Sequence, residues 1–124
     1  MIRLPDLEIG KQKIFKDCSV KRHRIAAIAF TRNGQVIACE TNRLGSGHVS
    51  DWSFHAEEFL ANKLNRIAAH ERFGAIHVLV ARLGRGKGWT LAKPCVGCQR
   101  KLKLSGVASV FYTEENGSIA EMKL

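Results

Sequence analysis

Two short stretches carry residues whose types and spacing could do chemistry. In SFHAEEFLANKL, His55 and Glu57 are separated by Ala56 alone. In AKPCVGCQRKL, Cys95 and Cys98 follow Pro94 at the spacing Cys-x-x-Cys. Alone, a Cys-x-x-Cys pair reads as a redox couple or as half of a four-ligand structural zinc site. The other two cysteines, Cys18 and Cys39, are not spaced to complete such a site. With His55 as a third ligand, the set becomes Cys₂His and leaves one position for water, the arrangement of a catalytic zinc. Zinc lowers the pKa of bound water to about 7 and so makes hydroxide available at neutral pH. Glu57, at a helix start, can face that water without ligating the metal and can carry its proton to a leaving group. Taken singly, His55 is an ordinary histidine and Glu57 an ordinary carboxylate in a helix's first turn. Together with the cysteines they form a set that a structural role does not account for.

The rest of the chain must position these pairs. At 124 residues it is expected to be one domain over 1–124, with a single core. An apolar fraction of 45% and a charged fraction of 25% are those of a globular protein. No apolar run approaches the ~20 residues of a membrane span, and the opening MIRLPDLEIG lacks the apolar segment of a signal peptide. A cytoplasmic location and no membrane partner are therefore expected. Twenty Lys and Arg against eleven Asp and Glu give a net charge of +9, which favours anionic partners or simply a solvated basic surface.

Apolar patterning predicts alternating elements. A short helix is expected before Val20. Two apolar runs around Asn33-Gly34 predict a hairpin of strands at about Arg24–Phe30 and Gln35–Cys39. The Gly-, Ser- and Asn-rich TNRLGSGHVSDWS reads as a loop. From His55, apolar residues recur at helical spacing through Ala68, and Gly74 ends the segment. AIHVLVA reads as a strand buried on both faces, RLGRGKGW as a basic loop, and the segment after Pro94 as a second helix ending at Gly106. VASVFYT and SIAEMKL read as strands. Only six residues lie between Tyr112 and Ile119, too few for a parallel crossover of a dozen or more, so these strands are expected to form an antiparallel hairpin. The order β-β-α-β-α-β-β predicts an α/β three-layer domain around a mixed five-stranded sheet. Both chemical pairs then fall where helices begin beside strand ends, where ligands collect in open sheets.

HAE at His55–Glu57 with PCVGC at Pro94–Cys98 matches the pattern H-x-E followed by P-C-x-x-C of zinc-dependent nucleobase deaminases. The chain resembles the cytidine/deoxycytidylate deaminase superfamily from Arg24 to Tyr112, with PCVGCQRKLKLSGVASVFYT similar to that family's third helix and fourth strand. The resemblance implies a cytidine-deaminase-like fold, Zn²⁺ held by His55, Cys95 and Cys98, and Glu57 as proton shuttle. It implies attack on the ring carbon bearing the amino group, with loss of ammonia. It also implies self-association, because many relatives form dimers or tetramers.

Candidate substrate contacts are Asn42, Ala56, Arg43 and Trp89. Asn42 stands where the family has an Asn that contacts the sugar, although a turn residue would look the same. Free-nucleoside deaminases usually carry a Glu two positions later, where this chain has Leu44. Asn42-Arg43 resembles tRNA adenosine deaminases, and Gly45–Gly47 is loosely similar to deoxycytidylate deaminases. Arg43 could meet a phosphate or be solvated. The compact ending resembles the free-nucleoside branch, whereas Arg82, Arg85, Lys87 and Lys93 around Trp89 suit a single-stranded nucleic acid. A solvated hairpin with Trp89 folded onto the core accounts for that loop equally. Arg100, Lys101 and Lys103 add charge along the second helix. Trp52 and Phe54 could line a pocket or pack in the core. The expected activity is conversion of cytosine to uracil in a cytidine-type substrate, a (deoxy)cytidine nucleotide. The alternative is deamination of cytosine, less favourably adenine, in single-stranded DNA or RNA. A zinc-stabilised nucleic-acid-binding module is a third reading, which leaves Glu57 without a use.

Overall fold

The computed structural model describes residues 2–18, 24–44, 53–84 and 88–124. Along the described chain the elements are α1 (Leu7–Asp17), β1 (Arg24–Thr31), β2 (Val36–Thr41), β3 (Arg43–Leu44), β4 (Ser53–Phe54), α2 (Ala56–Arg66), α3 (Ala69–Phe73), β5 (Ile76–Leu83), β6 (Trp89–Thr90), α4 (Val96–Leu104), β7 (Val107–Thr113) and β8 (Ile119–Lys123). The five long strands lie in the order β2-β1-β5-β7-β8, with the short β6 added beside β5. Only β5 and β7 are parallel, and β7 and β8 form the expected antiparallel hairpin. The sheet is mixed, as expected.

Alternation along β1 builds the three layers. Ala27 and Ala29 point into a core shared with Leu60 and Leu64 of α2 and Leu102 of α4. Ile28 and Phe30 point the other way, into a cluster with Leu79 and Phe111, and Ala26 packs with Ile14 of α1. The small residues of β1 have a purpose here. A Cβ built on Gly10 of α1 would come within 3.0 Å of the Ala26 Cβ, so glycine and alanine together let the helix approach the strand. β5 takes the centre of the sheet, buried from Ile76 to Ala81, as its unbroken apolar run requires.

Both Asn-Gly pairs make hairpins, and by the same route. In each, the glycine N–H donates to a carbonyl three residues back, Gly34 to Thr31 and Gly117 to Glu114, both at 2.9 Å. Only the glycines have positive φ, +87° at Gly34 and +82° at Gly117. This is a longer turn closed by a left-handed glycine, not the two-residue turn that Asn-Gly most often forms.

Three expectations are corrected. The helix from His55 does not run to Gly74: it stops at Arg66, Ala68 turns into the left-handed region at φ +50°, and α3 begins at Ala69. The stretch after Glu40 is not all loop, because Arg43–Leu44 pairs with Ser53–Phe54 as a two-stranded ribbon. The basic loop carries a further short strand, β6, folded back on β5 with Leu83 opposite Trp89. Gly45–Gly47, Trp52, Arg85 and Lys87 lie outside the described residues.

Candidate active site

The two helix starts meet. His55 is the N-cap residue of α2 and Cys95 that of α4, and neither side chain is used to cap its own helix. Both are therefore available to something else. Cys98 follows on the first turn of α4, buried, while His55 and Cys95 are exposed. His55 Nδ1 lies 3.1 Å from Cys98 Sγ and 3.8 Å from Cys95 Sγ. The three donor atoms all fall within 4.8 Å of one another and could hold a metal ion. For tetrahedral zinc with bonds of about 2.0 and 2.3 Å, a nitrogen and a sulfur ligand stand about 3.6 Å apart. The two observed separations straddle that value, so the donor set fits.

Glu57 is 4% exposed, and its Oε1 is buried without a hydrogen-bond partner. Burial pushes its carboxyl above the ordinary carboxylate range, while its own backbone N–H, His55 and the Cys98 thiol pull the other way. Burial likewise raises the Cys98 thiol, with the neighbouring Glu57 charge and Cys95 adding to it. A cation among the three donors would relieve both groups, since an adjacent positive charge favours carboxylate and thiolate alike.

Neighbouring contacts hold the helix starts in place. Gln99 Nε2 donates to the Pro94 carbonyl at 2.8 Å, bracing the turn that presents Cys95. Ala92 N–H donates to Thr113 O at 2.9 Å, and Thr113 Oγ1 donates to Thr90 O at 2.6 Å, which ties the approach to α4 onto the end of β7. Lys101 of α4 reaches Glu58 of α2 at 2.7 Å. Apart from Pro94, none of these residues belongs to a recognisable motif; only the paired structure makes them neighbours.

The structure brings some candidate substrate residues to the metal-ligand set and takes one away. Arg43 pairs with Phe54, so the ribbon joins the residue after Asn42 to the residue before His55. Asn42 is 3% exposed, and its Oδ1 accepts from Ile25 N–H at 3.0 Å and from the Cys18 thiol at 3.3 Å. A backbone N–H can only donate, so the amide is oriented with its oxygen inward. Cys18 and Ile25 are supporting residues that no sequence signal marks. Ala56 is fully buried in the α2/α4 core. Trp89, half-buried, packs with Ile14, Ala26 and Leu83, on the α1 side of the sheet, where the helices that carry the ligands do not lie. The aromatic of the basic loop thus folds onto the core. Lys93, Arg100, Lys101 and Lys103 are exposed on and before α4.

No family profile matches the sequence, and neither does any curated protein. Solved structures do match. A cytidine deaminase from Burkholderia pseudomallei is 18% identical, with a TM-score of 0.62 over 94% of this chain and 88% of that one. The dCMP deaminase of cyanophage S-TIM5 is similar in its apo form, at 18% identity and TM-score 0.51 over 88% of this chain and 79% of that one. In its complex with dCMP and dUMP it is 21% identical, with TM-score 0.56 over 88% and 78%. These likenesses show a shared fold, a cytidine-deaminase-like one, as expected. Among the described residues no helix is long and apolar enough to cross a membrane.

Proposed function

We propose that this chain is a zinc-dependent hydrolytic deaminase converting cytosine to uracil in a cytidine-type substrate, a cytidine or deoxycytidine nucleotide. The observation that carries this reading is a buried carboxyl, Glu57, set against three convergent donors, His55, Cys95 and Cys98. Zinc held by those three supplies Lewis acidity that makes hydroxide available at neutral pH. Glu57 takes a proton from the attacking water and passes it to the ring nitrogen beside the attacked carbon. It then carries the remaining hydroxyl proton to the amino group; the C–N bond breaks, ammonia departs and the oxygen stays on the ring as the carbonyl. A carboxyl whose proton affinity burial has raised suits that exchange, because it holds the accepted proton more tightly than a solvated carboxylate would. Asn42, its oxygen held by Ile25 and Cys18, remains the candidate contact to the substrate's sugar. The compact β7–β8 hairpin supports a free nucleotide over a polynucleotide, as does the placement of Trp89 away from the site.

A second reading, deamination within single-stranded nucleic acid, is favoured by one observation: Lys93, Arg100 and Lys103 are exposed beside or along the helix that carries the thiols. The deciding experiment assays the zinc-loaded protein on dCMP, cytidine and a single-stranded oligonucleotide, with metal content measured in parallel. Turnover of dCMP above the others supports the first reading, and turnover of the oligonucleotide alone replaces it with the second. Full zinc occupancy with no turnover of any of them leaves a zinc-stabilised binding module.

A further inference from the structure

The far end of the sheet carries a feature that the chemistry at His55 does not use. Arg3 N–H donates to the Arg32 carbonyl at 2.8 Å, which sets two arginines side by side from distant parts of the chain. Like charges held opposite one another on paired backbone are destabilising unless something offsets them. Here nothing in the protein does, since neither guanidinium has a carboxylate within ion-pair distance among the described residues. The two side chains, with Ile2 and Asn33, line a cavity of about 400 Å³.

The turn is shaped to seat this pair. Arg32 and Asn33 occupy the middle of the β1–β2 hairpin, and Gly34 follows at φ +87°. A Cβ on Gly34 would lie 3.1 Å from both Arg3 Cγ and the Arg3 carbonyl, so a glycine there leaves room for the arginine stem. The acidic counterpart is instructive. The β7–β8 turn has the same hydrogen bonds, but is flanked by Glu114 and Glu115 in place of arginine. The backbone turn therefore does not require arginines.

We propose that Arg3, Arg32 and Asn33 form a binding site for the phosphoryl group of a small anion, separate from the metal-ligand set. Paired guanidiniums present the fork of donors that phosphate oxygens accept, and the Asn33 amide adds a neutral donor. The cavity stands beyond Thr31, while the candidate active site adjoins the opposite end of β1, where Asn42 N–H bonds to Ile25 O. The strand between them spans roughly 20 Å at about 3.3 Å per residue. An anion bound at the arginines does not compete with a substrate at His55, and the proposal stands or falls independently of the deaminase reading.

The test is a titration of the ¹⁵N-labelled, zinc-loaded protein with inorganic phosphate, followed by amide NMR shifts at constant ionic strength. Saturable shifts are expected at Arg3, Asn33 and Gly34, with none at His55–Glu57. In the double variant Arg3→Ala/Arg32→Ala the affinity should fall by roughly tenfold or more, as the loss of charge-assisted hydrogen bonds requires. The variant Arg100→Ala/Lys103→Ala, which removes charge elsewhere, should bind as the parent does. Shifts that fail to saturate, that spread over the basic surface, or that survive in the double variant overturn the proposal. A parallel titration with a short oligothymidylate separates the sources of phosphate. Shifts running from the hairpin across α4 would assign the arginines to a polynucleotide track and overturn the small-anion site.

Discussion

The two faces of the sheet each bury one titratable side chain with an unsatisfied atom, and they do so in opposite surroundings. On the α2/α4 face, Glu57 Oε1 has no hydrogen-bond partner, and the carboxyl neighbours His55 and Cys98 of the metal-ligand set. On the other face, His77 Nδ1 has no partner either, and the ring sits between Phe30 and Phe111 at centroid distances of 5.8 and 6.4 Å. Burial drives each toward its neutral form: Glu57 holds its proton more tightly, and His77 holds one less tightly, with Arg32 adding to the effect and Glu121 opposing it. An unsatisfied buried polar atom costs stability in both places. Beside Glu57 stand three donors that a cation would join to it. Beside His77 stand the rings of Phe30 and Phe111, and no metal-ligating group accompanies it among the described residues. A buried polar group alone is therefore a poor guide to function, and its neighbours decide.

The comparison breaks most visibly if the ligand set is removed. Cys98→Ala should take zinc content from close to one per chain to near zero, abolish turnover and lower the melting temperature, because metal binding is coupled to folding. Metal analysis with thermal unfolding checks this, and a variant that keeps its zinc would show that Cys98 is not a ligand. Next in size, Glu57→Gln should retain zinc and fold while losing about 10²–10⁴-fold or more in turnover, since glutamine keeps the shape but cannot exchange a proton. Steady-state assay beside metal analysis separates that result from a structural failure.

The other face should respond in stability alone. His77→Phe removes an unsatisfied nitrogen from an aromatic cluster and should leave turnover unchanged while altering stability by no more than about 1–2 kcal/mol at neutral pH. Its signature is in the pH dependence. The native pKa of His77 lies below the unfolded value near 6.5, so the unfolded chain binds the proton first. The parent should lose stability as pH falls through 6.5 toward the lower native pKa, and His77→Phe should lose less over that window, as denaturant titrations at several pH values would show. The smallest effect belongs to Glu58→Gln. It cuts a half-exposed ion pair with Lys101, worth under about 1 kcal/mol, and should change turnover little. A large loss of turnover in Glu58→Gln would move the proton shuttle one residue along the helix.

Much of this was legible in the amino-acid order because strong local signals agreed with the fold. The apolar run AIHVLVA reads as a strand buried on both faces, as β5 is, and the short span from Tyr112 to Ile119 leaves a hairpin as the connection. The ligand set was legible because His-x-Glu and Pro-Cys-x-x-Cys are local patterns at helix starts. What escaped depends on pairing between distant segments. The break at Ala68 is hidden because Ile67 and Ala68 continue the apolar rhythm, and alanine gives no warning of a positive φ. The face taken by Trp89 follows from its register against Leu83, which no single segment specifies. The bonds from Cys18 and Ile25 to Asn42 join residues whose separation in the chain conceals them.

The register of β1 against β5 also bears on how the protein is made. Every pair from Arg24↔Leu83 to Thr31↔Ile76 closes a loop that contains β2, the ribbon and both helices of the His55 segment. Loop closure on that scale must be accomplished before the contacts it permits can repay the entropy. His55 lies inside the loop, whereas Cys95 and Cys98 lie beyond it, on the connection from β5 to its parallel neighbour β7. A nascent chain therefore holds the histidine before either thiol, and the donor set can assemble only after α4 has followed β5. Between their emergence and that assembly, the thiols of Cys95 and Cys98 are open to oxidants and to competing metals.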